Sequence, residues 1–241
     1  SSLSDYKQVQ KRDWTFFAEA HIEQGKLLEK NNLPVGIVNG IAGQAWLEVE
    51  FKGLAGHAGN TPMNDRQDAL VAAGRFVSEL ESIPKIVSST AVATVGKLAV
   101  YPNGANVIPE SVKMIVDIRD IHEKSRDMLL ELISERAYDI AKERGIDVTV
   151  SRTSRVKPVP VEETYKDELR DILTDLNIEA MELPSGAGHD SMNIGLELPV
   201  AMIFARSKAG ISHNPAEWTS LDDCVLTVHV LKKFIEKQMS K

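Results

Sequence analysis

The sequence has a single cysteine, Cys224, among its 241 residues. One cysteine excludes an internal disulfide and agrees with a reducing cytoplasm. Nowhere does an apolar run approach the roughly 18 residues that a membrane-spanning helix needs. The first stretch, SSLSDYKQVQKRDW, lacks the apolar core of a signal peptide. It also does not begin with Met, so the expectation is a processed product or a part of something longer. Basic residues are in deficit, 28 Lys and Arg against 35 Asp and Glu, for a net charge of −7. A nucleic-acid binder needs a basic face, so that class is set aside; solubility is the simple reading of the charge. No internal repeat or low-complexity segment is evident. The expected partners include neither nucleic acid nor membrane.

What is present is the composition of a soluble globular protein, 43% apolar and 26% charged. The length suits one large domain or two ordinary ones. TFFAEAHIEQ (15–24) reads as a strand and GKLLEKNN (25–32) as a short helix. VGIVNGIAG (35–43) has three glycines and reads as a hinge. QAWLEVEFKG (44–53) alternates Trp46, Glu48 and Glu50 against Leu47, Val49 and Phe51, the pattern of a half-buried strand. A helix is expected over 63–83, capped by Asn64 or Asp65, with Ala69, Leu70, Ala73, Phe76, Val77 and Leu80 on its apolar face. Strands at 91–100 and 111–120, a helix at 125–145 stopped by Gly145, and a strand at 146–155 complete a β-α-β-β-α-β order. That is the ferredoxin-like arrangement. Beyond it come a helix at 163–177, a strand at 178–183, and a Gly-rich loop from Pro184 to Asp190. A buried strand at 198–205 and a C-terminal helix at 220–240, capped by Ser220, end the chain. The fold expected is an α/β catalytic domain, incomplete here, with an inserted α+β ferredoxin-like domain. The boundaries are 1–41 for one catalytic-domain piece, 42–156 for the insert and 157–241 for the other piece.

Six histidines are available. His122 and His229 have helical contexts without polar company and read as structural. His21 (AEAHIEQG) lies near a strand end, where α/β folds place ligands, though alone it reads better as a core histidine. His213 (GISHNPAEW) lies in a loop where Glu217 is placed to orient its imidazole; a turn with a helix cap explains the local pattern equally well. His57 (GLAGHAGNTPM) has small neighbours that permit close approach of a backbone or substrate. Asn106 falls in a loop between strands. Arg119, at a strand end, suits a two-bond grip on a carboxylate, or a surface ion pair.

Singly these signals are weak. Together, AEAHIEQG, GHAGNTPM, PNGANVIP, DIRD, SGAGHD and SHNPAEW, in this order and spacing, resemble the N-carbamoyl-L-amino-acid hydrolase and allantoate amidohydrolase branch of the M20 metallopeptidase-like family. The resemblance covers essentially the whole chain. It implies a catalytic α/β domain interrupted by a lid or dimerisation domain, and a homodimer formed through that lid. The apolar strand QAWLEVEF and the helix 63–83 are the expected edge and face for it. The resemblance also implies two divalent metals, zinc or manganese with cobalt or nickel as alternatives, bridged by an aspartate and a water. His21 matches a ligand of one metal and His213 a ligand of the other. Gln24 matches a contact to the ureido or carbamoyl end of the substrate. His57 matches a lid histidine that reaches the neighbouring subunit's site and stabilises the oxyanion. Asn106 and Arg119 match the pair that grips the substrate carboxylate. Ser185 and Gly186 match a substrate-contacting loop, which His189 and Asp190 support without a direct catalytic step.

The implied reaction is hydrolysis of a carbamoyl or ureido C–N bond in an N-carbamoyl-L-amino acid or allantoate. The metals acidify the shared water and polarise the carbonyl, and the released carbamate decays to ammonia and carbon dioxide. The family also needs an earlier histidine, a bridging aspartate and a Glu-Glu pair, which the residues before HIEQG do not supply. One histidine per metal falls short of the three protein ligands that a catalytic zinc typically takes. The expectation is that this chain alone binds metal weakly or not at all and does not catalyse. A non-catalytic fragment or truncated paralogue acting as a dimerisation module is the alternative, and a metal-free small-molecule binder a third reading.

Overall fold

The computed structural model describes residues 14–241. The polar start of the first catalytic-domain piece, residues 1–13, lies outside the described residues. The described residues divide into two compact units: 14–39, 160–183 and 189–241 form one, and 40–159 and 184–188 the other.

The first unit is built on a mixed sheet ordered β1 (Phe17–Ile22), β11 (Val200–Ala205), β2 (Val35–Ile41) and β10 (Glu182–Ser185), with the short β9 (Val159–Pro160) also paired to β2. β11 is buried along its whole length, as the apolar run at 198–205 predicts. It runs parallel to β1 and antiparallel to β2. Helices α5 (Glu163–Asp175) and α7 (Leu221–Met239) cover the sheet with Leu169, Ile172, Leu173, Val230 and Phe234. Ser220 caps α7 by accepting from the Asp223 amide at 3.0 Å. Three expectations change here. The glycine-containing segment 35–43 is strand and not loop: β2 is buried, because Val35, Ile37, Val38 and Ile41 all have core to fill, and the boundary between the two units falls within it, after Asn39. The strand expected at 178–183 starts only at Glu182 and runs on into Ser185. His229 is exposed on α7, so it is a surface residue and not a structural one.

The second unit holds a four-stranded antiparallel sheet ordered β5 (Val92–Tyr101), β7 (Ser111–Asp120), β3 (Gly43–Lys52) and β8 (Asp147–Arg155). The alternation in β3 is real: Leu47, Val49 and Phe51 are fully buried and Trp46 is exposed. Two helices, α2 (Ala69–Leu80) and α4 (Glu123–Arg144), pack on the buried face through Ala72, Ala73, Phe76, Leu129, Ile133 and Ala137. Phe51 and Phe76 meet edge to face at 5.8 Å, and burying each ring contributes about 2–3 kcal/mol. α4 ends at Gly145 in the left-handed conformation, φ 63°.

Several expectations for this unit also change. α2 begins at Ala69, and its cap is Asp68, whose Oδ1 accepts from the Leu70 and Val71 amides. Asn64 and Asp65 instead lie in a separate 3₁₀ turn, because Arg66 is extended and breaks the run. Leu70 and Val77 point outward, and Ala72 takes the inner position. β3 is an interior strand, paired on both sides; the edges are β5 and β8. His122 is exposed just before α4. A two-stranded ribbon of β4 (Gly56–His57) and β6 (Val107–Ile108) was not legible in the sequence.

Candidate active site

In the first unit, β1 delivers His21 one residue before its end. The ring Nδ1 lies 2.9 Å from the Ile22 carbonyl. A carbonyl only accepts, so Nδ1 carries the proton and Nε2 keeps its lone pair in the neutral ring, the state a metal ligand requires. Glu19 sits two residues earlier on the same face of β1. Its Oε2 accepts from the amide and the hydroxyl of Ser191, at 2.8 and 2.5 Å, and so ties down the start of α6 (Asp190–Ile194). His189, just before that helix, is buried with its ring 4.7 Å from that of His21. Burial, and next the neighbouring His21, push the His189 pKa below its ordinary value; Glu19 and Asp190 oppose the shift.

The turn after β1 is rigid. Glu23 is buried, and its carboxylate accepts from Leu27 N at 2.6 Å and Leu28 N at 3.0 Å, capping the short α1 (Leu27–Lys30). Gln24 has φ 55°, an uncommon backbone state for a residue with a long side chain. Its amide donates to Ser207 Oγ at 3.1 Å and its side-chain Nε2 to Ser212 Oγ at 2.6 Å. Gly25 and Gly210 pack backbone to backbone: a Cβ on Gly210 would stand 2.8 Å from the Gly25 carbonyl carbon. The HIEQG turn and the GISHN loop are therefore brought together. His213 follows Ser212, exposed, with φ 55°. Glu217 accepts from the His213 backbone amide at 3.1 Å, so its recorded contact is to the main chain and not to the imidazole.

In the second unit the candidates fall into two groups. His57 lies in the β4–β6 ribbon, opposite Val107. Its Nδ1 accepts from the amides of Gly59 and Asn60, at 3.0 and 3.2 Å, which places the ring proton on Nε2. The Asn106 carbonyl accepts from Ala58 N at 3.0 Å, so His57 and Asn106 are neighbours, both exposed. Arg119 belongs to the other group. Asp117 takes its Nε and one Nη2 proton at 2.7 and 3.0 Å, and the Gly186 carbonyl takes one from Nη1 at 2.7 Å. Hydrogen bonding to Asp117 is the largest effect raising the Arg119 pKa, and burial opposes it. For Asp117, burial is the largest influence and pushes upward, but bonds from Arg119 and Trp46 outweigh it and leave the pKa lowered. Two of the five N–H donors of an arginine remain for a ligand. Ser185 is buried, and its hydroxyl lies 3.3 Å from both the amide and the carbonyl of Ala187, within the loop that presents Gly186.

Asn106 and Arg119 are not brought together along the strand that separates them. β7 runs from Ser111 to Asp120, and Arg119 stands opposite Val92, at the far end of the sheet from the Tyr101–Ser111 pair. At about 3.3 Å per residue, Ser111 and Arg119 are about 26 Å apart, and the ribbon with His57 and Asn106 grows from the Ser111 end.

Four residues of these clusters were missed from sequence. Glu19 and Asp117 each stand two positions before a recognised residue on a strand, hence on the same face, and that period-two spacing was the available signal. Ser212 had no such signal beyond lying beside His213, and Ser207 had none. Among the described residues no group of three His, Cys, Asp or Glu side chains converges as a metal site. The contact of His21 Nδ1 with the Ile22 carbonyl leaves Nε2 without its proton in the neutral ring, but the residues described do not by themselves compose a metal centre. Nor is any described helix long and apolar enough to cross a membrane.

Comparison with known proteins identifies the family and the fold. The profile of Peptidase family M20/M25/M40 matches residues 2–237, and the chain belongs to that family. It is 43% identical over 215 residues to an N-carbamoyl-L-amino acid amidohydrolase of Geobacillus stearothermophilus, covering 89% of this chain and 52% of that protein. It is 34% identical to an allantoate amidohydrolase of Bacillus subtilis, covering 96% of this chain and 56% of that one. Among solved structures, a putative amidohydrolase/peptidase from Burkholderia cenocepacia superposes with a TM-score of 0.90 at 32% identity, over 94% of this chain and 56% of that one. The fold is thus the mixed α/β fold of amidohydrolase structures. The chain spans about half the length of the curated relatives it matches.

Proposed function

We propose that the protein is a metal-dependent amidohydrolase that cleaves the carbamoyl or ureido C–N bond of an N-carbamoyl-L-amino acid, with allantoate as the runner-up substrate. The observation that carries this reading is identity of 40–43% to N-carbamoyl-L-amino acid amidohydrolases across most of the chain. The second unit is proposed to be the ferredoxin-like lid and dimerisation domain; its strand and helix order supports that.

The roles proposed are those that the family resemblance implies, and the local geometry supports them. Arg119, its guanidinium oriented by Asp117 and Gly186, holds the substrate carboxylate with its remaining donors. Gln24 contacts the ureido end, and Ser185 and Gly186 form a further substrate-contacting loop. His57, with its proton on Nε2, donates to the developing oxyanion. The length of β7 between the His57–Asn106 group and Arg119 supports a site built from two copies: His57 and Asn106 come from one and Arg119 from the other. A homodimer is then a requirement for turnover.

His21 and His213 are proposed to bind one each of two divalent metals, zinc or manganese, whose chemistry is activation of a water. Two histidines do not hold such a pair, so catalysis is proposed to need ligands beyond those described, and this chain alone to be inactive. A cytoplasmic location agrees with the single cysteine, Cys224, which is exposed.

Bound-metal stoichiometry tests the reading, measured on this chain after soaking in manganese or zinc, together with ammonia release from N-carbamoyl-L-amino acids and allantoate. Weak metal binding with no turnover, and turnover on supplying the missing half of a relative, is the expected result. Two tightly held metals per chain would overturn the claim of an incomplete site. Failure of the completed enzyme on every carbamoyl substrate would overturn the function.

A further inference from the structure

Gln24 is an outlier that needs explaining. It is a non-glycine residue at φ 55°, held from both sides by serines of one distant loop. Left-handed backbone in a long side chain costs about 1–2 kcal/mol and persists where the surroundings over-determine it. The surroundings here do so. Glu23 is locked to α1 by two amide bonds, Gly25 abuts Gly210, and Ser207, itself buried, takes the Gln24 amide. With the backbone so fixed, the carboxamide has one recorded partner among the described residues. That is Ser212 Oγ, at 2.6 Å from Nε2 and 188 positions away in sequence.

A carboxamide can turn about its last bond. The bond to Ser212 stops that rotation and leaves Oε1 and the second N–H for a ligand. Together they form an acceptor–donor pair that matches the terminal NH₂ and carbonyl of a ureido group. We propose that Ser212 is a positioning residue for substrate recognition: it orients the Gln24 carboxamide toward the carbamoyl end of the substrate. The inference rests on the reading of Gln24 given under the proposed function. Ser212 also adjoins His213, so the same hydroxyl links the loop of one metal-ligand candidate to the turn that follows the other.

The test compares Ser212→Ala and Ser212→Thr with wild type in the complete, metal-loaded enzyme. The substrates are an N-carbamoyl-L-amino acid and its N-formyl counterpart, which lacks the terminal NH₂. Loss of one neutral hydrogen bond predicts a KM for the carbamoyl substrate about five- to tenfold higher in S212A. The expected result includes kcat and metal content unchanged, a KM rise for the formyl substrate smaller than for the carbamoyl one because formyl keeps only the carbonyl half of the contact, and recovery in S212T, which keeps the hydroxyl. An unchanged carbamoyl KM, an equal rise for both substrates, or loss of metal in S212A would overturn the inference while leaving the proposed function standing. A wild type inert toward the carbamoyl substrate would overturn the function and this inference with it.

Discussion

Gly210→Ala probes the contact on which the first unit's candidate site depends. Gly210 has φ 64°, and a Cβ there would lie 2.8 Å from the carbonyl carbon of Gly25, 2.9 Å from its oxygen and 2.9 Å from Cγ of Lys26. Two costs add. The left-handed backbone costs a residue with a Cβ about 1–2 kcal/mol. The steric conflict costs about 1–3 kcal/mol more, since two of the three contacts are to backbone and cannot be relieved by a rotamer change. The expected loss is about 2–5 kcal/mol, a large part of the ~5–15 kcal/mol that a domain typically has. Urea unfolding followed by circular dichroism would read it as a lower midpoint with an unchanged slope. The opposite control is Gly74→Ala in α2, an exposed helical position where a Cβ meets nothing within 4 Å. It should stabilise by about 0.5–1 kcal/mol. A G210A midpoint within about 0.5 kcal/mol of wild type would refute the reasoning, because it would mean the Gly25–Gly210 contact does not hold the two loops together.

Asp68→Ala removes both capping bonds at the start of α2 and should destabilise by about 1 kcal/mol, with Asp68→Asn recovering most of it in the same unfolding assay. Glu79 is held down to about 2 by hydrogen bonds from Arg136 and Arg75. A carboxylate with a depressed folded pKa contributes stability that is complete above its unfolded value of 4.5 and is lost as pH falls toward 2. Glu79 and its two arginines are partly solvent-accessible, so the contribution is about 1 kcal/mol at most and should shrink in salt; an acid transition unaltered by Glu79→Gln would count against it. His57→Ala in the complete enzyme should cut turnover severely and leave metal content unchanged; loss of metal together with activity would sink the oxyanion role. Arg119→Lys removes the planar fork that Asp117 orients, and KM should rise more than tenfold while the fold is unperturbed by circular dichroism.

Much of the secondary structure was legible because burial repeats along the chain. Alternation in 44–53 announced β3, the continuous apolar run 198–205 announced the buried β11, and Gly145 and Ser220 marked helix ends through local backbone chemistry that needs no distant partner. Where the local signal was ambiguous, tertiary packing decided. Asn64 and Asp65 stood where a cap was expected, and Asp68 supplies it instead. The glycines of 35–43 suggested a hinge; pairing with β11 makes the segment a strand, and the boundary between the two units falls inside it. A strand's pattern says which face is buried but not which neighbours it has, so β3 was expected at an edge and is interior.

The same division holds for the candidate site. By itself the sequence determined the family, because six short motifs in fixed order are specific where each alone is not. It also determined the residue types available for the chemistry. Only the tertiary structure decided which of them meet. Gln24 reaches Ser212 across 188 positions, Arg119 reaches Gly186 across 67, and Asn106 joins His57 through a two-stranded ribbon at the far end of β7 from Arg119. The reason is physical. Periodicity and capping are set by neighbours a few residues away, whereas these contacts depend on register and chain reversal, which many distant side chains set together.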